Sequence, residues 1–189
     1  LLLPYLQKQT NNYIPRVTSF IGVVELPEKD ITFITFVGRS EWAVVNSFWA
    51  ILYHRDLKPS KVHILFRSSD EERAESCVEG LNQILEAEEI DCTIEKHEVK
   101  ERFDLMGPAD IVEEIMEKAQ ESKIVLDITP ARKFMASGSL VQAMKRDVED
   151  VYYLYIDEVD EAAKRPYLDI PLPRQELLEM TGGEHFVKD

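Results

Sequence analysis

The chain has 189 residues, 44% of them hydrophobic and 31% charged, which suits one well-cored globular domain and is too short for two large ones. Its net charge of −14 and pI near 4.8 exclude a protein that coats duplex DNA or RNA through its overall field. They leave room for a small anion held by a local basic cluster. Two cysteines, Cys77 and Cys92, exclude a disulfide framework and read as buried reduced thiols of a cytosolic protein.

No run reaches the roughly 20 apolar residues that a membrane helix needs. The opening Leu1-Leu2-Leu3-Pro4-Tyr5-Leu6, followed by Lys8, suits a membrane boundary, and two readings stay open. It is either the end of a membrane helix preceding Leu1, tethering a cytoplasmic domain to the inner membrane, or a short apolar arm. Val17–Leu26 predicts a strand. Ile31–Val37, without charge, predicts a strand covered on both faces. A helix is expected over Glu41–His54, with Trp42, Val45, Phe48, Trp49 and Leu52 on one side.

Val62–Phe66 predicts the next strand, Asp70–Ala87 a helix and Cys92–His97 a third strand. Phe103–Gly107 is expected as a loop and Ala109–Gln120 as an acidic amphipathic helix. Lys123–Ile128 predicts a buried strand, the stretch from Thr129 to Met144 a helix, and Val151–Tyr155 a strand. The stretch after Ile156, with Pro166, Pro171 and Pro173, predicts a loop-rich tail with one short helix near Gln175–Met180. The acidic runs Asp70–Glu75 and Glu86–Glu89 read as solvated helix faces. Strands alternating with helices imply an α/β fold, a Rossmann-like, mainly parallel sheet with helices on both faces.

Such sheets bind ligands beyond the carboxyl ends of their strands, and two turns on that edge stand out. In Gly38-Arg39-Ser40 the glycine permits a tight turn, Ser40 can cap a helix or bond a phosphate, and Arg39 supplies charge. In Thr129-Pro130-Ala131-Arg132-Lys133, Thr129 fits an N-cap and Pro130 the first helical position. Arg132 and Lys133 then fall in the first turn, where the helix dipole disfavours cations, so their placement points to an anion. His54, His63, His97 and His185 lack metal-ligand spacing and read as structural or surface residues; no metal and no cofactor are expected.

The segment FITFVGRSEWAVVNSFWAIL resembles the first strand, Ser-containing turn and helix of CARF (CRISPR-associated Rossmann fold) domains. FDLMGPADIVEEIMEKAQESKIVLDITPARKFMAS resembles their second hallmark, a strand ending in a Thr-Gly-Gly-Thr-Lys-like turn, and VYYLYIDEVDEAAKRPYLDIPL resembles a later part of the same domain. The likeness covers roughly residues 31–173, its most specific part being Thr129-x-x-x-Lys133-x-Met135. Pro130-Ala131 stands where the family usually carries two glycines. On this resemblance the chain divides into an arm over 1–16, a CARF domain over 17–173 and a tail over 174–189.

The resemblance implies a homodimer, open to higher oligomers, that binds a cyclic oligoadenylate in its two-fold cleft as part of type III CRISPR antiviral defence. Tetra-adenylate is the commoner family ligand. Ser40 and Lys133 match the most typical contacts; Gly38, Arg39, Thr129, Pro130, Ala131, Arg132 and Met135 lie beside them. Asn46, Arg67, Ser68 and the Phe103–Gly107 loop are secondary candidates. Two activities stay open. One is a sensor that switches an effector. The other is a metal-independent ring nuclease, in which a ribose 2′-OH attacks the adjacent phosphate to give a 2′,3′-cyclic phosphate. Ser40 would then orient the phosphate and Lys133 stabilise the developing charge.

Overall fold

The uncharged run after Asp30 becomes the middle of the sheet: β1 (Ile31–Phe36) is buried along its whole length, as a strand sandwiched between helices must be. The computed structural model describes residues 30–100, 106–148, 150–157 and 164–181; the strand expected over Val17–Leu26 lies outside them. The chain continues through α1 (Glu41–Arg55), β2 (Lys61–Arg67), α2 (Glu71–Ala87) and β3 (Thr93–Val99). It then forms α3 (Met106–Lys118), β4 (Lys123–Asp127), α4 (Lys133–Lys145), β5 (Asp150–Ile156) and β6 (Gln175–Glu179).

Among the described residues the sheet has six strands in the order β3-β2-β1-β4-β5-β6. The first five are mutually parallel, with Phe33 opposite Val62 on one side and Val125 on the other. One face of the sheet buries α1 and α2, through Phe33, Val62 and Val125 against Phe48, Ile51, Cys77 and Leu81. The other buries α3 and α4, through Ile34, Leu65 and Leu126 against Val112, Ile115, Met135 and Ala143. Phe33 meets Phe48 edge to face with centroids 5.0 Å apart, a geometry that adds about 0.5–1.5 kcal/mol to the burial itself.

Several expectations are corrected. Gln175–Glu179 is a strand, not a helix: it runs antiparallel to β5, with Leu177 opposite Leu154. The open edge of β5 offers ladder bonds that a short isolated helix cannot match, so the sheet extends past residue 173. In the expected loop at Phe103–Gly107, Met106 and Gly107 already belong to α3, and the rest lies outside the described residues. Thr129 does not cap α4. The N-cap is Arg132, because the Thr129 hydroxyl accepts from the Leu154 N–H at 2.8 Å and its N–H donates to Asp127 Oδ1 at 3.0 Å. Those bonds hold a turn closed by Ala131 N–H to the Ile128 carbonyl, 3.2 Å.

Cys77 is buried and Cys92 half-buried, both free thiols; burial pushes them up to about 12 and about 11, which makes them unreactive. Among the described residues no helix is long and apolar enough to cross a membrane.

Candidate functional site

The chain leaves β1 through α1 toward β2 on one side of the sheet, and leaves β4 through α4 toward β5 on the other. Adjacent β1 and β4 therefore form the switch point, the place where open α/β sheets hold ligands in a crevice at the carboxyl edge. α1 and α4 lie on opposite faces of the sheet, so two helix N-termini flank that edge and contribute partial positive charge from either side.

The two turns expected to form the site touch here. A β-carbon on Gly38 would overlap the carbonyl oxygen of Pro130, so only glycine lets the backbones approach this closely. Ser40 is the N-cap residue of α1, yet its hydroxyl makes no capping hydrogen bond. Arg39 and Lys133 are exposed, while Arg132 and Ala131 are half-buried.

A charge cluster lies against these turns, joining the expected Arg67 and Arg132 to Asp70 and Arg73, which sequence reasoning missed. Asp70, expected on a solvated helix face, is only 5% exposed. It sits between β2 and α2, where three guanidiniums surround its carboxylate. Arg67 Nε donates to Oδ2 at 2.8 Å, Arg73 Nη1 to Oδ1 at 2.6 Å, and Arg132 Nη2 to Oδ2 at 3.2 Å. Arg73 Nη1 also donates to the Gly38 carbonyl at 3.0 Å, tying the cluster to the first turn as Arg132 ties it to the second.

Burial pushes the Asp70 carboxyl up, but the bonds and charges of Arg67, Arg73 and Arg132 outweigh it and hold the group below its ordinary value. Three guanidiniums facing one carboxylate leave a positive surplus in a chain of net charge −14. Arg132 Nε is buried without a hydrogen-bond partner. The spacing Arg67-x-x-Asp70-x-x-Arg73 was a visible signal, since i,i+3 pairs meet on a helical turn.

Asp127, at the end of β4, is fully buried. Its Oδ2 accepts from the hydroxyls of Ser47 at 2.6 Å and Thr35 at 2.9 Å, while Oδ1 takes the Thr129 N–H. One carboxylate thus fastens β1, α1 and the second turn together. Burial raises its pKa, and the hydrogen bonds only partly oppose that.

Other expected site residues are engaged in contacts of their own. Met135 is fully buried in the core under the sheet. Asn46 is buried and donates to the Arg165 carbonyl at 2.8 Å, holding the chain after β5. Ser68 caps nothing; its hydroxyl donates to Glu98. The histidines are not all scattered: pairing of β2 with β3 brings His63 and His97 together, with Glu95 beside them. These three are the described residues able to hold a metal ion.

No protein-family model and no curated protein sequence matches the chain. Among solved structures, Csm6 of Enterococcus italicus, bound to cyclic hexa-2′-fluoro-hexa-dAMP, is similar with a TM-score of 0.56 and 15% identity, over 80% of this chain and 42% of that one. Protein VC1899 of Vibrio cholerae is similar with a TM-score of 0.51 and 10% identity, over 65% of this chain and 30% of that one. The chain thus spans less than half the length of either. The likeness is one of fold, and the Rossmann-like, CARF-like architecture expected from the motifs is the one observed.

Proposed function

We propose that this domain binds a cyclic oligoadenylate at the β1–β4 edge, as the sensor of a type III CRISPR antiviral system. The carrying observation is the convergence of Arg67, Arg73 and Arg132 on buried Asp70, against the Gly38 and Pro130 turns. Guanidiniums held in place by a carboxylate are preorganised phosphate donors. The Ser40 hydroxyl and the exposed Lys133 flank them. Csm6, with the same fold over the matched part, has been seen with a cyclic oligonucleotide of this kind, and tetra-adenylate is the commoner ligand of the family that the motifs resemble.

A ring with two-fold symmetry calls for two copies of the site across an isologous interface. The outer side of α4 supports such a pairing: Val141 and Met144, one turn apart, are 52% and 66% exposed. Binding then switches an effector activity. Binding is favoured over cleavage because none of the described histidines lies in these turns to serve as a general base.

The test is a titration of purified protein with labelled cyclic tri-, tetra- and hexa-adenylate and linear tetra-adenylate, followed for hours at stoichiometric protein. Saturable binding of a cyclic species, left intact, supports a sensor. Conversion to 2′,3′-cyclic phosphate products would make it a ring nuclease. Absence of binding at micromolar protein sinks the proposal.

A further inference from the structure

The carboxyl-edge site leaves one cluster of donor atoms unused, on the face of the sheet covered by α3. His63 comes from β2, Glu95 and His97 from edge strand β3. Parallel register sets His63 opposite Glu95 and Leu65 opposite His97, and the period of two turns all three side chains to the same face. His63 Nδ1 and His97 Nε2 lie 2.8 Å apart, with Glu95 Oε2 at 3.6 Å from His63 Nδ1. One ligand atom from each residue falls within 4.8 Å of the others. His63 is only 6% exposed, and a cleft of about 380 Å³, bordered by Ile111, Glu114 and Lys118 of α3, opens onto the cluster.

Two imidazole nitrogens at this distance share one proton, a contact that by itself serves packing. The carboxylate makes a different occupant better. Imidazole and carboxylate donors together suit zinc-class divalent ions rather than calcium or magnesium, which take oxygen ligands. A tetrahedral zinc at about 2.0–2.1 Å from each donor sets ligand atoms roughly 3.3 Å apart. The Glu95–His63 separation is already close to that value, and the two rings need open by only about half an ångström. Lys61 engages the other Glu95 oxygen at 3.2 Å, which orients the carboxylate and leaves Oε2 for the metal, as second partners do in metal sites.

We propose that His63, Glu95 and His97 bind one zinc-class divalent ion per chain, with a fourth coordination position facing the cleft. Loading displaces the proton shared by the two rings. The ion cross-links β3, which among the described residues is paired on one side only, to β2, and so stabilises the folded state by mass action. This site is separate from the carboxyl-edge turns, and its fate is independent of nucleotide binding.

The full chain, stripped with chelator, is titrated with Zn²⁺ by calorimetry and melted with and without the ion; Mg²⁺ and Ca²⁺ are the controls. One equivalent of Zn²⁺ binds and raises the melting temperature, while Mg²⁺ and Ca²⁺ do neither. His97→Gln and the surface change Glu95→Gln fold as judged by circular dichroism and lose at least about tenfold in affinity. Cys92→Ser binds as the parent does. Absence of Zn²⁺ binding overturns the proposal. So does binding that persists unchanged in His97→Gln and Glu95→Gln, or that disappears in Cys92→Ser, since the ion would then sit elsewhere.

Discussion

Gly38 and Pro130 meet backbone to backbone: a β-carbon on Gly38 would stand 3.0 Å from the carbonyl carbon of Pro130 and overlap its oxygen. Gly38 does not have a positive φ, so the glycine is needed for space and not for conformation. The resemblance had drawn attention to the missing glycines at Pro130 and Ala131, but the close approach is supplied from the opposite turn.

Gly38→Ala is therefore expected to push the two turns apart. Overpacking of this kind costs about 1–3 kcal/mol, and the altered spacing of the turns should weaken cyclic oligoadenylate binding. Thermal melting and a ligand titration check this; an Ala variant with parent stability and affinity would show that the contact relaxes freely.

Asp70→Asn leaves three guanidiniums facing one another without a carboxylate. A destabilisation of about 2–4 kcal/mol is expected, at the low side of values for buried pairs because the arginines are partly in solvent. The pH dependence follows from the sign of the shift. Asp70 is held below its ordinary value of 3.8, so its contribution is present above that pH and is lost as pH falls through the lower folded value. Acid unfolding of the parent and of Asp70→Asn should converge at low pH.

Asp127 has the opposite sign. Its folded value is raised above 3.8, so the folded state binds the proton more tightly. The linked stability is complete below that pH and is lost as pH rises through the folded value. Asp127→Asn removes this component, and its urea-unfolding free energy should vary less with pH. Asp127→Ala orphans the Thr35 hydroxyl and the Thr129 N–H, at about 1–3 kcal/mol for each group left unsatisfied, while the Ser47 hydroxyl keeps the Ala43 carbonyl at 2.8 Å.

Lys133→Ala should leave the melting temperature within about two degrees, since exposed positions tolerate change. Its affinity for cyclic tetra-adenylate should fall about tenfold or more, the worth of one charge-assisted hydrogen bond. Arg132→Ala should lower both, because Arg132 also anchors Asp70. Equal affinity of Lys133→Ala and the parent would remove Lys133 from the site.

Tyr167 packs the segment after β5 onto α1; it is 3% exposed and bonds His54 Nε2 at 2.6 Å. Tyr167→Phe should cost about 0.5–1.5 kcal/mol and Tyr167→Ala about 3–5 kcal/mol, both read by denaturant unfolding with ligand affinity unchanged.

Strands and helices were legible where the local pattern was strong, as in the uncharged run Ile31–Phe36, buried on both faces, and in the amphipathic stretch Glu71–Ala87. Gln175–Glu179 was not, since Gln-Glu-Leu-Leu-Glu suits a helix and only the open edge of β5 makes it a strand. The two turns of the site were visible as residues out of place: a glycine after a buried strand, and cations at a helix start.

By itself the sequence determined the α/β alternation, the parallel sheet and the edge at which the Gly38 and Arg132 turns lie, since these follow from hydrophobic period and turn residues acting over short range. Tertiary structure alone decided which distant residues meet. Pairing register brought His63 to His97, the crossing of connections at β1 and β4 brought Gly38 to Pro130, and burial converted Asp70 from one more surface acid into the anchor of three arginines. The physical reason is that an acid's role depends on its dielectric surroundings and neighbours, which are set by packing and not by its place along the chain.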